Sequence, residues 1–259
     1  MSAPLAGQVW VVTGGTQGVG ERVAIRAAQG GASGVVICGR HPGRGRAVEA
    51  AVAGAGSPCL FVEADLARVE DAFAVIDRGA ARFGRLDVLC NVAGLTDRGT
   101  IDDTTPDLWD RLIAVNARAP FFLTQRAVPH MRAAGGGSVV NVISIAAHGG
   151  APHIAPYVAS KSALVGLTKN LAHALRHDRI RVNGLNMGWT ATPGEEEVQR
   201  RSHGMGDDWK EALGATRPFG RLLDPDEVAR AVVFLAGPES GIVTGAVWDY
   251  EQAPIGAGD

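Results

Sequence analysis

Short runs of β-branched and apolar residues alternate with helical patterns along nearly the whole chain. This rhythm constrains the fold more than any other feature. Residues 9–12, 35–38, 59–63, 86–91, 138–143 and 180–185 read as strands, with a helix predicted over 18–29 after the first. Strands that alternate with helices imply βαβ units and a parallel sheet. Several runs lack polar alternation, as strands do when helices cover both faces. Gly135-Gly136-Gly137 marks the turn into the fifth strand. The 259 residues suffice for one large α/β domain, and no linker, repeat or boundary divides 1–259. Only residues 193–216 break the rhythm. They are charged and poor in strand formers, which suits a lid or substrate loop.

A net charge of −2 provides no broad basic field, so a nucleic-acid partner is not expected. No apolar run reaches the ~20 residues needed to span a bilayer, and Met1-Ser2-Ala3-Pro4 shows no leader. Cys38, Cys59 and Cys90 lie in or beside apolar runs without metal-ligand spacing. They read as reduced, buried thiols of a cytoplasmic protein, and no metal is expected.

Two clusters carry chemistry. Thr13-Gly14-Gly15-Thr16-Gln17-Gly18-Val19-Gly20 joins the first strand to the first helix. A pyrophosphate needs backbone N–H donors at a helix N-terminus and residues that let the chain approach it, which Gly14, Gly18 and Gly20 supply. Glycine clusters also form purely structural turns, and the position after strand one favours the phosphate reading. Strand two ends in Gly39-Arg40-His41 without the acidic residue that would bind ribose hydroxyls. Arg40 is placed to meet a 2′-phosphate, with Arg44 and Arg46 adding positive charge. NADP(H) is therefore favoured and NAD(H) stays possible; a solvated basic loop is the plainer alternative. Asp65 suits either an adenine contact or an N-cap.

Tyr157 and Lys161 stand i,i+4 on a predicted helix beginning near Pro156, and Ser144 ends the fifth strand. Moving a tyrosine from ~10 to ~7 takes about 4 kcal/mol. A unit charge 4 Å away supplies ~1 kcal/mol in water and ~4 at an effective dielectric of 20. A lysine does this only in a partly dry pocket, helped by an oxidised nicotinamide. Ser144 can donate to the reacting oxygen. The Tyr-x-x-x-Lys spacing also arises by chance and carries little alone.

The glycine turn, Asn91-Val92-Ala93-Gly94, Asn116, Ser144, Tyr157 and Lys161 occur in the order and spacing of the short-chain dehydrogenase/reductase family. Arg181-Val182-Asn183 and Thr244-Gly245 extend the match nearly end to end. The chain resembles a member with the full Asn-Ser-Tyr-Lys tetrad. The resemblance implies a doubly wound Rossmann-type sheet of about seven strands, ordered 3-2-1-4-5-6-7. It implies that Tyr157 is the acid/base, Lys161 lowers its pKa and holds the ribose, Ser144 orients substrate, and Asn116 supports a proton-relaying water chain. It places Gly14, Thr16, Gln17, Gly18, Val19, Gly20, Arg40, Asp65, Leu66, Asn91, Ala93, Gly94, Gly188, Thr190 and Thr192 at the cofactor, beside Tyr157 and Lys161, with the Asn91 and Gly94 segment also stabilising the central sheet. It also implies a homotetramer, through helices near 106–134 and 154–177 and through the helix near 225–235 with the last strand. The chain departs from the family at Met187-Gly188, at Ile143-Ser144 and at Trp248-Asp249-Tyr250-Glu251-Gln252, where Glu251 fills an aspartate slot.

A substrate wall is expected from Leu95, Thr96, Ala146, Ala147, His148, His153, Ile154 and Trp189, with residues 195–209. Stacked indoles and polar groups suit a sugar, sugar lactone, polyol or small cyclic ketone. Glu195, Glu196 and Glu197 read as a solvated helix start. The leading function is NAD(P)-dependent interconversion of a secondary alcohol and a ketone. The alternatives are a non-catalytic dinucleotide-binding regulator or scaffold, which the intact tetrad disfavours, and a nucleotide-sugar epimerase or dehydratase, whose additional C-terminal substrate domain this chain is too short to form.

Overall fold

Each predicted apolar run pairs as a parallel strand. The computed structural model describes residues 3–255. The expected 1–259 domain bounds and the leader reading at Met1-Ser2 therefore extend beyond the described residues. The strands are β1 (Val9–Thr13), β2 (Gly34–Gly39), β3 (Cys59–Glu63), β4 (Val88–Asn91), β5 (Gly137–Val142), β6 (Ile180–Met187) and β7 (Val247–Tyr250). They form one sheet in the order β3-β2-β1-β4-β5-β6-β7, all parallel. The helices are α1 (Gly18–Gln29), α2 (Pro42–Gly54), α3 (Val69–Phe83), α4 (Pro106–Ile113), α5 (Ala119–Ala133), α6 (Ala155–Leu175), α7 (Pro193–His203), α8 (Trp209–Gly214) and α9 (Pro225–Ala236). None among the described residues is long and apolar enough to cross a membrane.

The absence of polar alternation has its cause in the two cores. Trp10, Val12, Val35 and Ile37 pack with α1 and α9 on one face. Val9, Val11, Val36 and Cys38 pack with α3 and α5 on the other. Both faces of the central strands are dry, so both are apolar. Along α6, Leu164 and Leu175 are buried, whereas Leu167 and Leu171 are half-buried.

Arg181 at the start of β6 fastens the far end of the sheet. Its guanidinium donates to the carbonyls of Leu235 (2.9 Å), Ala236 (3.1 Å) and Gly237 (2.9 Å). These are the last carbonyls of α9, which have no intrahelical partner, so a cation there closes the helix. Burial lowers the Arg181 pKa. At the other end of α9, Asp224 and Glu227 form a capping box.

Strand order reverses between β1 and β4, and the chain leaves these neighbours in different directions. The result is a crevice beyond their carboxyl ends, where open α/β sheets hold ligands.

Candidate active site

The crevice is a cavity of about 740 Å³. At its dinucleotide end the glycines are sterically required. Gly14 has φ +63°, and a side-chain carbon there would stand 2.8 Å from the Ala93 Cα. A Cβ on Gly20 would stand 2.3 Å from the Gly14 carbonyl oxygen. The turn is thus as tight as backbone contact allows. Thr16, Gln17, Gly18, Val19 and Gly20 line the cavity where α1 begins. The first-turn amides of α1 lack intrahelical acceptors and fit a pyrophosphate.

Gly39 fills the slot after β2, and a Cβ there would meet the Thr16 hydroxyl at 2.7 Å. Arg40 lines the cavity, and Arg44 is held beside the turn by donating to the Gln17 side-chain oxygen. Arg46 turns away, pairing with Glu49 and covering the Phe61 ring. Asp65 is not an N-cap: α3 starts four residues later, behind Arg68. One Asp65 oxygen accepts from Ala67 N at 3.1 Å, and the residue lines the cavity beside Leu66. Ala93, Gly94, Gly188, Thr190 and Thr192 also line it. Glu251 lies against Gly188: a Cβ there would stand 2.2 Å from its carboxylate and push that side chain aside. The Thr192 hydroxyl caps α7, accepting from Glu195 N at 3.1 Å.

Asn91 does not reach the cavity. It lies within the sheet, donating to Asn141 Oδ1 at 2.8 Å, and Asn141 donates to the Thr168 hydroxyl at 2.9 Å. This buried chain ties β4, β5 and α6 together.

Ser144, Tyr157 and Lys161 meet at the chemical end. Tyr157 and Lys161 share one face of α6, and Lys161 Nζ lies 5.8 Å from the phenol ring centroid. The ammonium donates to the Val142 carbonyl at 2.9 Å. Burial pushes the Tyr157 phenol up to about 12, opposed by a hydrogen bond from Ser144. Burial also pulls Lys161 down to about 8. In the chain by itself, desolvation outweighs attraction, so the phenol is not brought toward neutrality as the Coulomb argument required.

Asn116 stands behind this end, fully buried and off the cavity wall. Its amide donates to Leu95 O and to the Ser160 hydroxyl, and its Oδ1 accepts from Leu95 N. It lies in a π-helical turn, Ala114–Arg118, between α4 and α5. A regular helix would bring the N–H of residue 120 to the Asn116 carbonyl, but Pro120 has none. A proline four residues after an asparagine was the available sequence signal.

Leu95, Thr96, Ala146, His148, His153, Ile154 and Trp189 line the substrate end. Ala147 and most of residues 195–209 do not; from that segment only Glu195, Glu197, Val198 and Arg201 reach the cavity. Ala147 lies off the cavity wall, its carbonyl accepting from the Ser162 hydroxyl, and Trp209 is buried away from the cavity. His148 Nε2 lies 2.9 Å from an Asp249 carboxylate oxygen, which ties the turn after Ser144 to β7. Glu195 is not a solvated helix-start residue. Its side chain is 13% exposed, and its Oε1 accepts from the Trp189 indole N–H at 2.8 Å and from Gln199 at 2.5 Å. Arg98 approaches the same oxygen at 3.7 Å. The sequence placed Glu195 within the wall segment but did not separate it from Glu196 and Glu197, because neighbouring glutamates at a helix start look alike before tertiary contacts separate them. Cys38 and Cys90 are buried as expected, whereas Cys59 is only partly so, and burial raises each thiol above the ordinary cysteine range.

Comparison with known proteins agrees with this geometry. A family model described as enoyl-(acyl carrier protein) reductase matches residues 14–251. The human protein named dehydrogenase/reductase SDR family member 4 is 35% identical over 256 residues, 98% of this chain and 88% of that one. A cis-4-hydroxycyclohexanecarboxylate dehydrogenase of Sinomonas cyclohexanicum is 33% identical over 248 residues, 95% of this chain and 96% of its own. Among solved structures, a short-chain dehydrogenase/reductase variant from Serratia marcescens superposes with a TM-score of 0.87 at 34% identity, covering 96% of this chain and 98% of that one.

The depressed Lys161 pKa makes a stability prediction. Below pH 8 the lysine is protonated in both folded and unfolded chains, and the fold carries the full cost of the buried charge. Between about 8 and 10.5 the folded chain releases its proton first, so stability rises with pH. The shift corresponds to up to about 3 kcal/mol, offset by about 1 kcal/mol for the bond to Val142. Lys161→Met should therefore stabilise the cofactor-free chain at pH 7, with the advantage shrinking at pH 10. Urea denaturation at both pH values checks this; equal stability at pH 7, or an advantage independent of pH, would contradict it.

Proposed function

This chain belongs to the short-chain dehydrogenase/reductase family of nicotinamide-dependent oxidoreductases, and on that premise we propose that it interconverts a small cyclic or polyhydroxylated secondary alcohol and its ketone. One observation carries the reading: Ser144, Tyr157 and Lys161 share a buried recess at the far end of the glycine-turn cavity. A bound nicotinamide dinucleotide supplies or takes up the hydride. Tyr157 Oη gives a proton to the forming alkoxide in reduction and removes it from the alcohol in oxidation. The Ser144 hydroxyl donates to the same oxygen. Lys161 holds the ribose hydroxyls, and Asn116 supports the route by which the proton leaves. Segment 193–216, comprising α7 and α8, serves as the lid: Glu195, Val198 and Arg201 form cavity wall. The relative named for a hydroxycyclohexane acid supports a ring alcohol.

We propose NADP(H) as the favoured cofactor. Gly39 removes the acidic side chain that would repel a 2′-phosphate, and Arg40 and Arg44 bring positive charge to the same end of the cavity. We also propose a homotetramer. Phe234 and Trp248 stack on the exposed side of α9 and β7, with ring centroids 5.7 Å apart. Ile242 is 94% exposed and Val243 is also open to solvent. Such apolar exposure suits an interface.

Tyr157→Phe should lower kcat/KM by about 10²- to 10⁴-fold, since the ring remains and the proton is lost. Nicotinamide absorbance follows this, and more than about a tenth of the activity remaining would assign the proton to another group. Arg40→Ala should shrink an NADP preference of about 10- to 150-fold, the worth of one charge-assisted contact. A wild type that prefers NAD(H), or an unchanged ratio of the two kcat/KM values, would remove Arg40 from this role. Light scattering at micromolar concentration should give four times the chain mass, and a monomer would overturn the assembly.

A further inference from the structure

We infer that Glu195 selects the substrate by accepting a hydrogen bond from a hydroxyl group close to the reacting carbon, so that the preferred substrate is a neutral ring bearing a second hydroxyl. The inference rests on the proposed reaction and names its substrate class.

The geometry is specific. Both hydrogen bonds received by the Glu195 side chain, from Trp189 and Gln199, fall on Oε1. Arg98 also approaches Oε1. Oε2 accepts no hydrogen bond among the described residues, although a carboxylate has about four acceptor sites. The residue lines the cavity together with Tyr157, Ser144 and Trp189. It is near enough to Tyr157 to raise the phenol pKa, while Arg98 lowers it. Gln199 is buried and Glu195 opens the first turn of α7, so the acceptor is fixed before substrate arrives.

Charge then separates substrate classes. A ring carboxylate would meet an ionised oxygen. Arg98 would offset that repulsion only in part, whereas a neutral hydroxyl meets no repulsion to offset. A cationic amine would meet Arg98, and also Arg217, which lies over the Trp189 ring at 5.5 Å. A neutral O–H pairs with Oε2 without either repulsion. A plain ring would cover that oxygen and leave it unpaired, and sites built to bond a hydroxyl reject analogues that lack it.

Two measurements test this. The first compares kcat/KM for 2-hydroxycyclohexanone, cyclohexanone and 2-oxocyclohexanecarboxylate, in wild type and Glu195→Gln. Wild type should favour the hydroxyketone over the plain ketone by at least about tenfold, the effect of one hydrogen bond to a charged group, and should use the carboxylate least. In Glu195→Gln the first ratio should fall toward one and the carboxylate should gain. A wild-type ratio near one, or a ratio unchanged by the substitution, overturns the inference. If the variant does not fold, the wild-type ratios decide alone.

The second measurement uses Tyr157→Phe with bound NADP⁺. Calorimetry should show cis-1,2-cyclohexanediol binding at least about tenfold tighter than cyclohexanol. This reads the contact without turnover. A diol preference in binding with no turnover of any ketone by wild type would sink the proposed reaction and keep the contact. Turnover without a diol preference would do the reverse.

Discussion

One hydroxyl group holds the crevice open. Thr13 Oγ1, at the last residue of β1, accepts from the amides of Val92 at 3.0 Å and Ala93 at 3.1 Å, just beyond the end of β4. The two strands have stopped pairing there, and these half-buried amides need partners. Thr13 provides one without drawing the backbones together. Gly14 then passes within contact of Ala93, so the phosphate turn and the segment leading to the chemical end share a fixed origin. The buried Asn91, Asn141 and Thr168 chain extends this anchoring to α6, which carries Tyr157 and Lys161. Sheet, turn and catalytic helix are thus joined by polar contacts whose partners are all internal.

That scaffold bears an electrostatic load. Lys161 and Tyr157 are both held where their charged forms are disfavoured, with burial as the leading cause for each. A wetter recess would relax both shifts, but water would also weaken each charge interaction there. The site is therefore strained in its ionisation rather than in its backbone. Arg179 is the one non-glycine residue with positive φ among the described residues, and it lies at the opposite end of β6.

Much of this was legible in the sequence because period and turn chemistry are local. The six expected strands occur within one or two residues at each end, and α1 spans the predicted residues. The Tyr157 and Lys161 pairing follows from helical spacing alone. What was not legible depends on tertiary partners. Asn91 was expected to serve both sheet and cofactor, and Asn141, fifty positions later, takes its side chain for the sheet alone. Trp209 and Trp189 had equal claims to the substrate wall until packing buried one. Glu195 differs from Glu196 and Glu197 only by where the indole of Trp189 and the amide of Gln199 fall. Likewise the N-cap alternative for Asp65 fails only because α3 begins behind Arg68.

The π-helical turn at Ala114–Arg118 fixes more than the position of one asparagine. A π turn amounts to one surplus residue inside an otherwise regular helix. Losing a residue here would remove that surplus and shift the helical register by about 100°, with Pro120 still leaving one carbonyl unpaired. The same loss would rotate everything on one side of the gap, carrying Asn116 away from Leu95 and Ser160 or α5 out of its seat on the sheet. In this segment chain length itself is the constraint: a deletion displaces the site even where every remaining side chain is kept.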